Sequence, residues 1–403
     1  MKTTKLEMLY LAALSMLGFV ATDMYLPAFE RMQGFFGSGP EAVALSLSVF
    51  LAGLAVGQLL WGVLSDRFGH RTALLAGLAV FVAASVAIAF TQAIWQLLTL
   101  RALQALGVSA AAVIWQAMVV GEKSDREAQR LFASIMPLVA LTPALAPQLG
   151  VVLMQGFDWQ GIFIGLALMG GGCFLATLKR PGRPPQPPQG SIAADFGLLL
   201  RRPGYVGNVL IYSFGSAAFF AFLTGLPRVM SGMGYGAGDI ALVFLPQTLA
   251  FLGGGYLGKR WVERLGDGWM LKQLLVLFGF ASLLLTVVSL LPLPVIWPML
   301  APFCLLAAAN GALYPIAVNR ALGCARECPA TGAGLQNSIQ ISVSFAASAA
   351  VALFAGQAQA AVGIAIGLSC IGVMLGYVLS EPGQRRQWAL PDPARVAIDE
   401  RES

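Results

Sequence analysis

Two charged residues, Asp23 and Arg101, stand inside hydrophobic segments that are each long enough to cross a lipid bilayer. A charged side chain at the membrane centre costs about 3 kcal/mol or more, so each charge needs a function or a partner. A rise of about 1.5 Å per residue from the segment ends near Glu30 and Trp95 places both roughly 10 Å below the same membrane boundary. We predict that they pair. Two interpretations stay open: a site that binds and releases protons, or a permanent ion pair that locks two helices together.

The segment around Arg101 repeats polar and aromatic residues on one helical face. Arg101, Gln104, Val108 and Trp115 are separated by three, four and seven residues, so they share one stripe. Such a stripe is expected to face the protein interior rather than lipid. Further candidates for a substrate cavity are the amide and aromatic residues Tyr25, Tyr212, Gln247, Asn310, Tyr314, Gln336, Asn337 and Gln340. Each can equally serve interhelical hydrogen bonding, but together they suit a planar, amphipathic substrate that is not strongly anionic.

The sequence favours neither a metal site nor a phosphate-binding loop. Cys324 and Cys328 lie close together, but the only histidine, His70, is far away in the sequence. Gly253, Gly254 and Gly255 lack the following Lys-Ser/Thr of a phosphate-binding loop. We therefore expect no cofactor and no enzymatic activity.

The composition is that of a polytopic membrane protein, with 58% hydrophobic and only 11% charged residues among 403. The apolar segments predict an all-α membrane protein with twelve transmembrane helices. The predicted spans lie near residues 6–29, 43–65, 72–91, 95–119, 130–153, 159–178, 205–229, 238–259, 271–291, 295–319, 331–354 and 358–379.

A proline-rich stretch after the sixth span divides the chain into two halves, because it cannot form a helix. We predict a first six-helix half over residues 1–178 and a linker over 179–204 that includes a short amphipathic segment at 192–200. A second half over 205–380 and a tail over 381–403 follow.

The basic residues predict the orientation in the membrane. With the first residue placed inside, 22 of the 25 lysines and arginines fall on one side, and the exceptions are Arg31, Arg101 and Arg228. The positive-inside rule then puts the linker and both termini in the cytoplasm, with an uncleaved first span. The net charge of +6 reflects this bias and requires no nucleic-acid partner.

The connection after the second span carries the pattern Gly-Val-Leu-Ser-Asp-Arg-Phe-Gly-His-Arg, whose distinctive residues are Gly62, Asp66, Arg67, Gly69 and Arg71. A glycine permits close backbone passage, and Asp66 can cap the next helix or bind a basic partner. The pattern resembles the signature loop of the major facilitator superfamily, with His70 in place of the usual Arg or Lys. The resemblance implies two pseudo-symmetric halves and a loop that locks the outward-open state.

Two further segments resemble motifs of drug:proton antiporters. Residues 101–107 resemble the helix-four motif Arg-x-x-Gln-Gly-x-Gly, with Ala105 in place of the first glycine. Residues 142–150 resemble the helix-five motif, carried by Pro143, Pro147 and Gly150, with Ala146 in place of a glycine. Small residues allow close helix packing, and prolines loosen the helix. Residues 255–260 echo the signature loop in the second half.

The string Thr-Asp-Met-Tyr-Leu-Pro at 22–27 resembles the bicyclomycin/chloramphenicol-resistance branch of these antiporters. The resemblance implies a monomeric inner-membrane transporter that is driven by the proton gradient and exports small amphipathic compounds, with Asp23 as the proton-coupling acid and Arg101 as its partner. Residues 110–116 and 310–315 are similar to enterobacterial transporters associated with purine nucleosides. Transport of a purine nucleoside or nucleobase, by import or exchange, is therefore the alternative.

Overall fold

The computed structural model of the chain describes residues 5–180, 192–292 and 294–387, and these ranges contain helices and short connections but no strand. The helices are α1 (Lys5–Asp23), α2 (Phe29–Phe36), α3 (Pro40–Phe68), α4 (His70–Ile88), α5 (Ile94–Glu122), α6 (Asp125–Leu178), α7 (Ile192–Leu200), α8 (Pro203–Gly232), α9 (Ala237–Leu265), α10 (Asp267–Ser289), α11 (Trp297–Gly323), α12 (Pro329–Leu353) and α13 (Ala358–Gln387).

The 54-residue α6 contains two predicted spans, because the backbone departs from helical geometry at Phe157 and Asp158. Asp158 has φ 55° and ψ −167°, which turns the chain back through the bundle. With α6 counted as two segments, and without the short α2 and α7, the described ranges hold twelve segments of spanning length. Nine of the described helical stretches are also apolar enough to cross a membrane by length and composition. The predicted all-helical membrane architecture is therefore confirmed.

The first span differs from the predicted run over residues 6–29. Helix α1 ends at Asp23, a 3-10 turn follows at Leu26–Ala28, and α2 then begins. Pro27 explains the break, because it lacks a backbone N–H and disfavours helical geometry in the residue before it. Asp23 is thus the last residue of α1, beside an interruption of the helix, and not part of a continuous one.

One hydrophobic core lies mainly within α1–α6, and a second lies within α8–α13. The first core extends to four residues of α11 and α12, which are Val318, Leu322, Ala330 and Ala333. The halves meet where α3 packs on α12 and where α6 packs on α9 and α11. The short helix α7 forms over the predicted amphipathic segment, and its Leu199 is buried beside Tyr205 and Cys324. Residues 181–191 of the predicted linker and residues 388–403 of the predicted tail lie outside the described ranges.

Corresponding glycines connect helices in the two halves. Gly69 joins α3 to α4 with φ 88°, and Gly266 joins α9 to α10 with φ 83°. Both conformations are unfavourable for residues with a side chain, so glycine is required at each position. We call the end of the bundle that carries these two connections, together with the α5–α6 and α11–α12 connections, the basic end, and the other the opposite end.

Candidate functional site

Arg101 is completely buried, and aromatic rings enclose its guanidinium group. The guanidinium carbon lies 4.1 Å from the ring centre of Tyr25 and 4.0 Å from that of Phe50. Nη1 donates hydrogen bonds to the carbonyl of Ala21 at 3.2 Å and to Oε1 of Gln104 at 2.6 Å. Within the described residues, Nε and Nη2 have no hydrogen-bond partner. Cation–π contacts, worth about 2 kcal/mol when desolvated, therefore stabilise a buried cation that has no carboxylate of the described residues beside it.

The predicted direct pair of Asp23 and Arg101 is not formed in this conformation. Arg101 reaches α1 through the carbonyl of Ala21 and the ring of Tyr25. Among the described residues, Asp23 makes neither an ion pair nor a side-chain hydrogen bond. Ala21 precedes Asp23 by two residues in α1, so the two positions are rotated by about 200° around the helix, and Tyr25 follows the helix end. The two charges lie at similar depth, but the rotation of α1 separates their side chains.

Asp23 is partly exposed at the end of α1, and the side chains of Phe19 in α1 and of Leu26 in the following turn are exposed. Helices α5 and α6 pack against α1. Asp23 as a residue is therefore only partly buried, whereas Arg101 is completely buried.

Gly150, of the predicted helix-five motif, packs against α1 at the break. A Cβ added to Gly150 would approach the carbonyl oxygen of Met24 to 1.9 Å. The close approach expected of a glycine at this position is thus present, and it fixes α6 directly beside Asp23. Pro147 is partly buried one turn earlier in α6, and the side chain of Pro143 lies outside the described ones.

A cluster of three aromatic side chains of the second half lies where the halves meet. The rings of Tyr212 and Tyr314 pack edge to face with centres 5.1 Å apart, and Phe251 lies 5.8 Å from Tyr314. Both tyrosines are partly buried and pack against the larger hydrophobic core, which joins the first half to residues of α11 and α12. Such an arrangement presents flat apolar surface with hydroxyl groups at its edge.

Two amide side chains, Asn310 and Gln340, lie beside this aromatic cluster. Asn310 donates to the carbonyl of Gly215 at 3.0 Å, and Gln340 donates to the hydroxyl of Ser216 at 2.6 Å. Gln247 and Gln336 are buried, and within the described part of the chain Oε1 of Gln247 and both side-chain polar atoms of Gln336 have no partner. A buried amide without a partner is costly, so these groups are candidates to bind a polar ligand.

The residues predicted to line one cavity fall into separate places. Gln104 belongs to the Arg101 site, where its amide also donates to Ser85 at 2.7 Å. Trp115 is buried in the first-half core against Phe132, with ring centres 5.3 Å apart. Asn337 accepts a hydrogen bond from Gln116 at 3.5 Å across the two halves. The spacing along one helix therefore identified buried residues, but only part of the set lies beside the tyrosine pair.

Asp66 of the signature loop closes the basic end. Its two carboxylate oxygens accept hydrogen bonds from the backbone N–H groups of Ala330 at 3.0 Å and Thr331 at 2.7 Å. These N–H groups lie in the first turn of α12, where the preceding Cys328 provides no side-chain cap. Asp66 therefore caps a helix of the other half, where a carboxylate interacts favourably with the helix dipole, and not the adjacent α4.

Of the other signature residues, Gly62 supports this contact, whereas Arg71 binds within the first half. A Cβ on Gly62 would lie 2.7 Å from the carbonyl of Ala330, so α3 and α12 cross at close range. Arg71 donates to the carbonyl of Leu178 at the end of α6 at 2.9 Å. Arg67 lies in the last turn of α3.

A second set of contacts between the halves lies at the end of α9, which corresponds to the end of α3, and the sequence analysis missed it. Glu263 binds Arg130 of α6 with a 2.8 Å contact, and Lys259 donates to Ser134 at 2.7 Å. Glu263 precedes Gly266 by three residues, as Asp66 precedes Gly69. The echo at residues 255–260 was the available signal, but the acid lies just beyond it. Both halves thus use an acid at the same structural position to hold the other half at the basic end.

The described contacts between the halves concentrate at the basic end and in the middle of the bundle. Among these contacts, two lie toward the middle of the bundle. Ser338 donates a hydrogen bond to the carbonyl of Ala55 at 3.1 Å, and Gly255 lies close to Pro137. The structure is therefore closed at the basic end. Two six-helix halves, joined at one end around an interior lined by uncharged polar groups, define a secondary membrane transporter.

Comparisons with known proteins support this class. The model of the Major Facilitator Superfamily matches residues 11–352, and the chain belongs to that family. A bicyclomycin resistance protein homolog of Haemophilus influenzae is 29% identical over 86% of this chain and 88% of its own length. A chloramphenicol resistance protein of Pseudomonas aeruginosa is 28% identical over 78% of this chain and 76% of its own. The family and these relatives indicate a transporter rather than an enzyme.

The fold also matches that of solved transporters. The crystal structure of a Major Facilitator Superfamily transporter, FucP, in the outward conformation aligns with 95% of this chain and 99% of its own. The TM-score is 0.72 at 13% sequence identity, which shows a shared fold. The resemblance inferred from the motifs is confirmed by the family model, and the resistance proteins among the relatives support the drug-efflux branch of the superfamily.

Proposed function

We propose that the chain is a proton-coupled exporter of small amphipathic compounds in the bacterial inner membrane. The names of its relatives, which refer to resistance against bicyclomycin and chloramphenicol, support export of such compounds. The bias of lysine and arginine toward the basic end supports a cytoplasmic location for that end and for both termini. On this orientation the described conformation is open toward the outside, and the transporter acts as a monomer.

The observation that carries the proposal is the asymmetry between the two interior charges. Arg101 is sealed in an aromatic cage, whereas Asp23 is partly exposed and has no partner among the described residues. We place Asp23 in the outward cleft, where it can take up a proton from outside. In the inward-open state a large rearrangement of α1 at its break brings the two charges together, and the guanidinium then favours release of the proton.

The cargo binds between the halves at the tyrosine pair and the nearby amides. Partnerless polar atoms of Gln247 and Gln336 supply hydrogen bonds, and Tyr212 and Tyr314 supply flat apolar contact. The predicted halves, residues 1–178 and 205–380, rock about this site. Proton binding at Asp23 and cargo binding favour different states, so each expels the other.

A second candidate is transport of a purine nucleoside or nucleobase. The uncharged amides and the edge-to-face tyrosines favour it, because a planar heteroaromatic ring with several donors and acceptors would satisfy both. The two candidates share the proton site and differ only in cargo.

Purified protein in liposomes, tested with labelled chloramphenicol and labelled adenosine under an imposed proton gradient, distinguishes these functions. We expect gradient-dependent movement of chloramphenicol, and its loss in Asp23→Asn. Movement of adenosine alone would support the second candidate and contradict the first. Gradient-dependent transport at the wild-type rate in Asp23→Asn would contradict the proton site in both.

A further inference from the structure

We propose that the basic end contains a binding site for a phosphate-bearing anion, formed jointly by the two halves. A cavity of about 700 Å³ opens there between the start of α6 and the ends of α9 and α11. Five basic residues line it, and they are Arg126, Arg130, Lys259, Arg320 and Arg326. Two come from the first half and three from the second. The volume lies in the range of small-molecule sites, roughly 300–1,000 Å³.

The carboxylates in this cavity do not neutralise all of its cations. Glu263 pairs with Arg130, Asp267 pairs with Arg320 at 2.9 Å, and Asp125 pairs with Arg326. These three acids are the carboxylates in the lining, so five cations face three anions.

The two cations without a carboxylate come from different halves. Within the described residues, Arg126 makes no ion pair, and Lys259 makes only its hydrogen bond to the hydroxyl of Ser134. An anion with two negative charges would complete the charge balance of the cavity. Arginine and lysine are the usual ligands of phosphate groups.

The register of α6 against α9 places these cations near a helix start. Ser134 contacts Lys259. One turn closer to the start of α6 and to the end of α9, Arg130 contacts Glu263. One further turn closer to the start of α6 lies Arg126. Three residues after Glu263 lies Gly266, which connects α9 to the start of α10. Arg126 and Gly266 both line the cavity. Backbone N–H groups at the start of a helix favour an anion, and here they add to side-chain charges.

A buried amide in the lining points independently to a ligand. Gln129 is 8% exposed, and its Oε1 has no hydrogen-bond partner among the described residues. A ligand that carries a hydroxyl group beside its phosphate would satisfy this oxygen. A phosphomonoester with a hydroxyl group meets both requirements, and two phosphodiester head groups such as those of phosphatidylglycerol would supply the same charge and hydroxyl groups.

Binding at this site would favour the conformation closed at the basic end. The ligand contacts would come from Arg126 of one half and Lys259 of the other, and they would be lost when the halves separate there. The anion would thus hold the transporter in the state that is open at the opposite end, independently of what the transporter carries.

The test measures binding of inorganic pyrophosphate to the full-length protein in nanodiscs of zwitterionic lipid. Isothermal titration calorimetry compares wild type with Arg126→Gln and Lys259→Gln at an ionic strength matched with chloride. We expect each substitution to raise the Kd about tenfold, because each removes one charge-assisted contact. Arg264→Gln is the matched control, since this exposed arginine lies at the same end but outside the cavity lining. Thermal unfolding of each variant verifies that it is folded.

A second arm replaces pyrophosphate by phosphatidylglycerol in the nanodiscs. Stabilisation of wild type by that lipid but not by pyrophosphate, and its loss in Arg126→Gln, would support the site and assign it to a lipid head group. Binding of pyrophosphate that depends on both cavity residues would assign it to a soluble phosphate. Absence of both effects, or equal weakening by Arg264→Gln, would overturn the proposal.

Discussion

Replacement of Asp66 by Asn is expected to destabilise the closure of the basic end. The carboxylate accepts N–H groups of Ala330 and Thr331 at 3.0 and 2.7 Å, and α12 has no side-chain cap of its own. Asparagine has nearly the same shape, but its single oxygen can accept only one of these bonds well, and its NH2 group faces the other N–H.

The magnitude follows from the lost interactions. A hydrogen bond to a charged group contributes about 1.5–3 kcal/mol, and the charge–dipole interaction about 0.3–1 kcal/mol. With a discount for the partial exposure of Asp66, we expect a net loss of about 2 kcal/mol. This corresponds to a roughly 30-fold shift in the ratio of the two conformations, toward opening at the basic end.

Double electron–electron resonance can measure this shift. Spin labels on Glu122→Cys and Arg264→Cys, at exposed ends of α5 and α9, report the separation of the halves in a background without the five natural cysteines. Asp66→Asn should populate a longer distance. The control Asp125→Asn removes an exposed pair with Arg326, so about fivefold or less is expected. An unchanged distance distribution in Asp66→Asn, or an equal change in both variants, would refute the capping argument.

Two further predictions concern packing and a buried thiol. Gly150→Ala should lower the unfolding temperature of the purified protein, with a cost of about 1–3 kcal/mol, because the new methyl group would collide with the carbonyl of Met24. Gly156→Ala, which meets nothing within 4 Å, should leave that temperature unchanged or slightly higher, and equal effects would contradict the argument. Burial raises the pKa of the Cys328 thiol to about 12, so this thiol should resist iodoacetamide between pH 7 and 9 and react only after unfolding, as followed by mass spectrometry. Rapid alkylation of the folded protein at pH 8 would show that the thiol is accessible and ionised.

The membrane architecture could be predicted from the sequence, because the length of each apolar segment and the charge of each loop are properties of consecutive residues. The twelve segments and the short α7 follow the hydropathy pattern. The break after Asp23 was not predicted, although Pro27 explains it. Local rules also required glycine at Gly69, where the backbone is left-handed. These features need no knowledge of which helices become neighbours.

The pairing of Asp23 with Arg101 could not be predicted in the same way. Residue counts give the depth of a side chain, whereas the break at Pro27 and the packing of Gly150 determine the rotation of α1. The cap of Asp66 on Ala330 spans 264 residues of sequence, and no local pattern distinguishes that partner from the adjacent helix. Such contacts depend on how the two halves dock.

The most direct test of the central claim measures protons released when cargo binds. A pH indicator in weakly buffered detergent solution would follow the addition of chloramphenicol to wild type and to Asp23→Asn, with intrinsic fluorescence as an independent record of binding. Competition between proton and cargo predicts proton release from wild type, and no release from Asp23→Asn although cargo still binds. Equal proton release from both proteins would contradict the assignment of Asp23 as the proton-coupling acid.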